Sequence, residues 1–412
     1  MVCRHAAECG GCGWQHVSYP EQLLQKQKTL EELLGRALGP RAPRVSPTIG
    51  MPVGADGMPW AFRQKAAFVF GGGSGGGLTM GHFARGTNDV VPVTECPVHA
   101  GRANRVAFAL FEELRRAGFS AWDGRRGVLR HLLVRTSADE REAVAVLVVA
   151  RDDPRLRAPL RKLMAGAERP TGLMLNVHDR PGPYQVGRES LRIDGYGHVR
   201  EEGLGPAFLV SPTGFFQTNV AAAAVLLRLV LDALPRKAGL RVLDLYAGSG
   251  LFALPIAQRG HHVTAVEDSR KATRDAARNA KLNGVPESRL RLVPALVLEA
   301  LPRLLREHFD VVILDAPRQG CPPAVLQLVL RLAAERLVLV SCNPEALARE
   351  LTFLQGGRYR ARLVQPVDMF PHTPHIETVA VLARSGPPMR SFSRSPRRQH
   401  SAAARLRRPR GL

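Results

Sequence analysis

The chain has 412 residues, 45% of them hydrophobic, which is enough for two or three domains around a large core. It holds no apolar run long enough to span a bilayer, and Met1-Val2-Cys3-Arg4-His5 lacks the apolar core of a secretory signal, so a cytoplasmic protein with no membrane partner is expected. A formal charge of +22 points to a polyanionic partner, although only seven of the 58 basic residues are Lys, which marks part of the arginine content as compositional bias.

The N-terminal stretch carries Cys3, Cys9 and Cys12 in the setting Cys9-Gly-Gly-Cys12-Gly-Trp. Glycines between two cysteines let the backbone wrap closely around a metal centre, with N–H groups turned toward thiolate sulfur. A fourth ligand is best supplied by Cys96, because the following Pro97 ends a segment and fixes its direction. Four thiolates suit a [4Fe–4S] cluster or tetrahedral zinc, and a disulfide framework is not expected without a secretory segment.

A leucine stripe at helical spacing predicts a packing helix over residues 20–38, closed by Gly39-Pro40. Antiparallel strands are expected from Phe62 to Phe70 and again from Leu78, around a glycine-rich tip at 71–77 that lacks the Lys-Ser/Thr of a phosphate-binding loop. Residues 100–210 read as α+β. Helices fall near Ala103–Ala117 and Pro154–Ala165, and strands near Leu129–Arg135, Glu142–Val149, Gly172–His178 and Ser190–Ile193. Arg125, Arg126, Arg130 and Arg135 are candidates for an RNA-facing surface.

From Ser211 the character changes. Phe215, Phe216, Gln217 and Asn219 are expected to line a pocket for a flat polar ligand, ahead of a helix at 220–234. A strand, Arg241–Leu245, runs into Tyr246-Ala-Gly248-Ser-Gly250 and a helix; the next strand ends in Glu267, placed to meet ribose hydroxyls. After a helix closing on Asn283-Gly284, a buried strand at 309–314 ends in Asp315-Ala-Pro-Arg-Gln-Gly320. A helix at 322–335 and the strand Arg336–Ser341 follow, with Cys342 at that strand's carboxyl end. Asn343-Pro344 opens another helix, whose backbone N–H groups are expected to stabilise a Cys342 thiolate. Two further apolar runs lie near Arg362–Val367 and Ile376–Leu382. This strand and helix alternation predicts a parallel doubly wound sheet.

Gly248-Ser-Gly250-Leu-Phe-Ala also fits a dinucleotide fingerprint, so an NAD-dependent oxidoreductase is one alternative and a non-catalytic RNA-binding protein another. Asp244, just upstream, would repel a pyrophosphate but tolerates S-adenosylmethionine, which carries a sulfonium and an ammonium and no phosphate.

Taken together, Cys9-Gly-Gly-Cys12, Gly214-Phe-Phe-Gln217-Thr-Asn219, Asp244-Leu-Tyr-Ala-Gly-Ser-Gly250, Asp315-Ala-Pro-Arg-Gln-Gly320, Ser341-Cys-Asn-Pro344 and Phe370-Pro-His-Thr-Pro-His-Ile-Glu377 resemble the bacterial RNA uracil-5-methyltransferases. The resemblance runs from Cys3 to about Ala383, with Ala316 where the family commonly has proline. It implies a [4Fe–4S] cluster on Cys3, Cys9, Cys12 and Cys96, and S-adenosylmethionine held by Gln217, Tyr246, Gly248, Gly250, Glu267 and Asp315. It further implies Cys342 as nucleophile and Glu377 as base. The expected layout is an iron–sulfur segment and β-rich region (1–99), a central α+β domain (100–210) and a Rossmann-like methyltransferase domain (211–384). A basic tail (385–412) with eight Arg and no acid follows and is expected to add RNA affinity. The start of the cysteine motif at Cys3, without a preceding oligonucleotide-binding barrel, resembles the short branch acting on large-subunit ribosomal RNA. Transfer RNA is the alternative substrate, and no obligate protein partner is expected.

Overall fold

The computed structural model describes residues 3–72, 77–180, 185–188 and 190–385. Residues 73–76 of the glycine tip and the basic tail from 386 onward lie outside them. The leucine stripe forms α1 (Tyr19–Leu38) as expected.

The first sheet has seven strands: β1 (Lys65–Gly72), β2 (Leu78–Phe83), β3 (Val90–Pro92), β4 (Leu129–Thr136), β5 (Ala143–Val149), β6 (Gly172–Val177) and β7 (Ser190–Gly195). Their order is β3-β2-β1-β4-β5-β6-β7, so strands from before and after residue 100 share one layer. Pairing is antiparallel except between β5 and β6. Every residue of β5 is buried, which is what its unbroken Ala/Val/Leu run requires. The helices α2 (Gly101–Arg116) and α3 (Arg157–Ala165) cover this sheet, their apolar stripes meeting Phe68, Leu132 and Leu147. A short hairpin, β8 (Val199–Glu201) with β9 (Phe208–Val210), leads to α4 (Val220–Asp232). Strands of three residues leave no periodicity to read, and this hairpin was not expected from the sequence.

The second sheet contains β10 (Arg241–Leu245), β11 (His262–Glu267), β12 (Leu290–Pro294), β13 (Val311–Asp315), β14 (Arg336–Ser341), β15 (Tyr359–Val367) and β16 (Glu377–Arg384). Its order is β12-β11-β10-β13-β14-β16-β15. The first five strands are parallel, and the last two pair antiparallel. Five helices connect or flank them: α5 (Ala253–Gln258), α6 (Arg270–Leu282), α7 (Val297–Leu304), α8 (Pro323–Leu332) and α9 (Pro344–Gly356). The parallel strands and their helices form the doubly wound sheet expected from the alternation, with the Rossmann-like layout that the resemblance implies. The pair β12 and α7 was not foreseen: β12 is an edge strand broken by Arg291 and Pro294, and α7 contains Pro302. α1 crosses from ahead of the first sheet to the second, where Leu30, Leu34 and Leu38 join a core with Leu347, Leu351 and Leu354 of α9.

Candidate active site and cysteine group

Strand order reverses between β10 and β13, and a crevice at such a switch point opens beyond the carboxyl ends of the strands. Its walls are residues that follow directly from each strand. Past β10 the chain turns sharply, with Tyr246 at φ +64°, Gly248 at +56° and Gly250 at +92°; the glycines adopt the left-handed region without a Cβ penalty. Glu267, closing β11, accepts hydrogen bonds from the Gly248 amide (2.9 Å) and the Ser269 amide (2.8 Å), so it holds the glycine turn in place. Tyr246 is half-buried, and its hydroxyl meets Cys321. Gly320 (φ +82°) brings that loop against α9, where an added Cβ would lie 2.8 Å from Glu350 Oε1. Glu350 in turn accepts the Cys321 amide at 2.6 Å.

The antiparallel insertion of β16 beside β14 is the decisive piece of geometry. Register pairs Ser341 with Thr378, so the next step places Cys342 across from Glu377. Asp315, ending β13, pairs with Val340 on the other side of β14. A thiol and two carboxyl groups therefore share one strand edge.

Their electrostatics follow from burial among like charges. The Glu377 carboxyl, 4% exposed, is held protonated well above the usual range by burial and then by Asp315. Asp315 is pushed up to about 7 by burial and then by Glu267. Asp244 is fully buried, and neither of its oxygens has a well-formed hydrogen bond among the described residues. Burial, then Asp315, raise it well above its ordinary value, and the Ala253 amide, too poorly placed to bond well, opposes this only in part. Glu267 is raised as well, by burial first.

Cys342 corrects an expectation. Its thiol is raised to about 11, by burial and then by Glu377 and Asp315, rather than lowered by the α9 amino terminus. The reason is local: the Asn343 side chain already caps α9, accepting from the Glu345 amide at 3.0 Å and the Ala346 amide at 3.4 Å. Arg318, whose carbonyl accepts from Asn343 Nδ2, pulls the thiol in the other direction but does not prevail. A crevice lined by four carboxyl groups with raised proton affinity is built for a cationic ligand.

The 214–219 segment departs in part from the expected pocket. Phe216 is buried against Phe208, ring centroids 5.5 Å apart, while Phe215 is 75% exposed. Asn219 caps α4 by accepting the Ala222 amide, and it donates to the Met369 carbonyl, so it is structural. Gln217 is buried. The expected arginine surface is divided too. Arg125 and Arg126 are exposed, whereas Arg130 stacks on Trp122 and donates to the His178 and Arg180 carbonyls. Arg135 is buried and reaches toward the Gly214 and Phe216 carbonyls. Lys65, which the sequence did not single out, lies near Arg135, Arg63 and Lys271.

Cys3, Cys9, Cys12 and Cys96 are brought to one cavity of about 190 Å³. The Gly11 amide donates to Cys9 Sγ at 3.4 Å, as the Gly-Gly spacing anticipates. Asn104 clamps the Cys96 turn from both sides, donating to its carbonyl at 2.9 Å and accepting its amide at 3.3 Å. Burial raises the Cys9, Cys12 and Cys96 thiols, the last to about 12, and neighbouring cysteines add to each. Half-buried Arg63 offers a compensating charge to Cys96 and Cys12. Four converging thiols with an amide aimed at sulfur fit a metal or cluster that would take their protons.

This group is tied to the crevice. The Trp14 amide, two residues past Cys12, donates to the His372 carbonyl at 2.9 Å. Gln22 of α1 accepts the His372 amide at 2.8 Å, and buried Lys26 pairs with buried Asp368 at 2.5 Å. His372 is fully buried and stacks on Trp60, a structural role, while His375 is exposed. The loop leading to Glu377 thus hangs on the N-terminal thirty residues.

The sequence pattern of the tRNA (uracil-5-)-methyltransferase family matches residues 207–385. An uncharacterized RNA methyltransferase of Gloeobacter violaceus is 34% identical, over 93% of this chain and 82% of that protein. One from Halalkalibacterium halodurans is 32% identical, over 91% and 81%. The chain belongs to the RNA uracil-5-methyltransferases. Among solved structures, the Pyrococcus abyssi tRNA (uracil-54, C5)-methyltransferase in complex with S-adenosyl-L-homocysteine superposes with a TM-score of 0.75. It is 27% identical and covers 90% of this chain and 86% of its own. Membership in this family of S-adenosylmethionine-dependent enzymes sets aside both the oxidoreductase and the non-catalytic alternatives. Among the described residues no helix is long and apolar enough to cross a membrane.

Proposed function

We propose that this chain methylates carbon 5 of a uridine in large-subunit ribosomal RNA, in the cytoplasm, with Cys342 as nucleophile and Glu377 as base. The observation that carries this reading is the β14–β16 register, which sets that thiol and that carboxyl opposite each other at the switch point. S-adenosylmethionine supplies an electrophilic methyl group on a sulfonium. The glycine turn at Gly248 and Gly250, with Tyr246, Glu267, Asp315 and Gln217, would hold it; the buried Asp244 carboxylate fits its positive charge.

Carbon 5 of uracil becomes nucleophilic only when the ring's conjugation is broken. The Cys342 sulfur, having lost its proton, adds to carbon 6, and the resulting enolate takes the methyl group at carbon 5. Ionised Glu377 then removes the carbon 5 proton, the C6–S bond breaks, and the sulfur leaves as thiolate. In the free protein burial and neighbouring carboxyl groups raise the proton affinity of both groups, and positive charge entering the crevice lowers it, favouring the ionised forms that the reaction uses. The base must leave its stack to enter, which favours unpaired RNA.

We assign a [4Fe–4S] cluster to Cys3, Cys9, Cys12 and Cys96, whose convergence on one cavity supports it. Broad visible absorption that bleaches on reduction tests it; a colourless zinc protein refutes it. RNA carrying 5-fluorouridine should become covalently attached through Cys342 in the presence of donor, because fluorine cannot be removed as a cation. Absence of that adduct overturns the mechanism. Transfer RNA is the second reading, favoured by the name of the Pyrococcus abyssi relative. Mapping 5-methyluridine in ribosomal and transfer RNA with and without the gene decides between them.

A further inference from the structure

The cavity that gathers the four cysteines also receives two imidazoles for which a four-cysteine cluster has no use. His82 lies on β2, and His99 follows the Cys96 turn. One ring nitrogen of each and Cys96 Sγ all fall within 4.8 Å of one another. His82 Nε2 and His99 Nδ1 are buried without a hydrogen-bond partner among the described residues, and His99 is only 4% exposed. Leaving buried polar nitrogens unpaired is costly, so their retention calls for a ligand. The ring of His82 also lies near the Ala67 backbone carbonyl. A carbonyl holding one ring nitrogen of a histidine fixes its tautomer and presents the other nitrogen's lone pair, which is how metal-binding histidines are oriented. Phe68 fixes both rings, stacked on His82 and edge-on to His99, each at 5.1 Å between centroids.

We propose that His82, Cys96 and His99 form a site for a single divalent metal, zinc or ferrous iron, sharing the Cys96 sulfur with the four-cysteine group. Two imidazoles and one thiolate suit these borderline ions and leave a fourth position open. That position faces the cavity lined by Cys12 and by His5, whose Nε2 is likewise unpartnered. Closing the donors onto one ion requires small side-chain rotations, since bond lengths of about 2.0–2.3 Å set shorter ligand separations than those found. The ion displaces the Cys96 proton to solvent and forms one S–metal and two N–metal bonds. Cys96 cannot serve two centres fully at once, so the mononuclear site belongs to protein that has lost, or not yet received, its cluster. It keeps the Cys96 turn ordered in that state.

The test uses the full chain, stripped of metal by a chelator under reducing, oxygen-free conditions and titrated with Co²⁺. One equivalent should bind, giving visible ligand-field bands of a tetrahedral ion and a near-ultraviolet charge-transfer band of single-thiolate intensity. His82→Gln and His99→Gln should each weaken cobalt binding roughly tenfold or more, Cys96→Ser should abolish the charge-transfer band, and Cys9→Ser should leave the titration unchanged. Wild-type cobalt binding in both histidine variants overturns the site, as does loss of binding in Cys9→Ser or a four-thiolate spectrum. Circular dichroism of the metal-free variants shows which are folded; should His99→Gln not fold, the His82→Gln and Cys9→Ser titrations decide. The cluster assignment is read separately, from visible absorption of the untreated protein, so either can fail without the other.

Discussion

The two sheets carry opposite charge where each is incomplete. At the carboxyl edge of the second, buried Asp244 and Glu377 lie with half-buried Glu267 and Asp315, and each holds its proton more tightly than usual. On β1 and β4 of the first, Lys65 is lowered to about 7 by burial and then by Arg135, Arg63 and Lys271, and Arg135 is lowered to about 10 by burial. No acid is among the groups acting on Lys65. A net charge of +22 does not foretell an acidic crevice, and the comparison shows why overall charge is a poor guide to a site. Burial among like charges is unfavourable in both clusters, and a ligand of the opposite sign relieves it.

Cys342→Ala should break the acidic side most severely, lowering methyl transfer by roughly 10⁴-fold or more while donor binding persists; methyl incorporation and calorimetry measure the two. Glu377→Gln should slow turnover by roughly 10²–10⁴-fold and trap a methylated, covalently attached RNA that survives denaturing gels. Lys65→Met should weaken RNA binding by roughly tenfold, a loss of about 1.4 kcal/mol, without touching donor affinity; equal weakening of both would dissolve the division between the two clusters. The smallest effect is on pH. Donor affinity should rise as Asp315 ionises and level off above about 7, by no more than about tenfold per pH unit, and Asp315→Asn should flatten that rise. Folded Asp315 holds its proton more tightly than the unfolded chain does. Stability of the donor-free protein should therefore fall from about pH 4 through about pH 7 and stay low above it, and the Asn variant should lack this fall in melting curves.

Much of the second sheet was legible because buried parallel strands leave unbroken Val and Leu runs, as at β13 and β14. Cys342 at a strand end and the glycine turn followed from the same runs. What brings Glu377 to Cys342 was not legible, since the insertion of β16 between β14 and β15 is a choice of pairing partner that no local pattern encodes. Arginines were misread for a related reason. Arg130 and Arg135 sit near the two ends of β4, where charged side chains usually reach solvent, yet a tryptophan face and the 214–216 loop cover them. The Cys342 thiol was misjudged because its acidic neighbours come from other strands, and only tertiary structure brings them near.

The bond from Gln22 to His372 spans 350 residues of sequence, and the Lys26–Asp368 pair spans 342. Contacts so distant along the chain form late, because their loop-closure entropy must be met before they stabilise anything. A ribosome therefore releases α1 among the first elements, yet this helix has no seat until the final strands emerge. The loop that carries Glu377 is completed in the same event, so a truncated or half-made chain lacks both that loop's anchor and the pairing of β16 with β14.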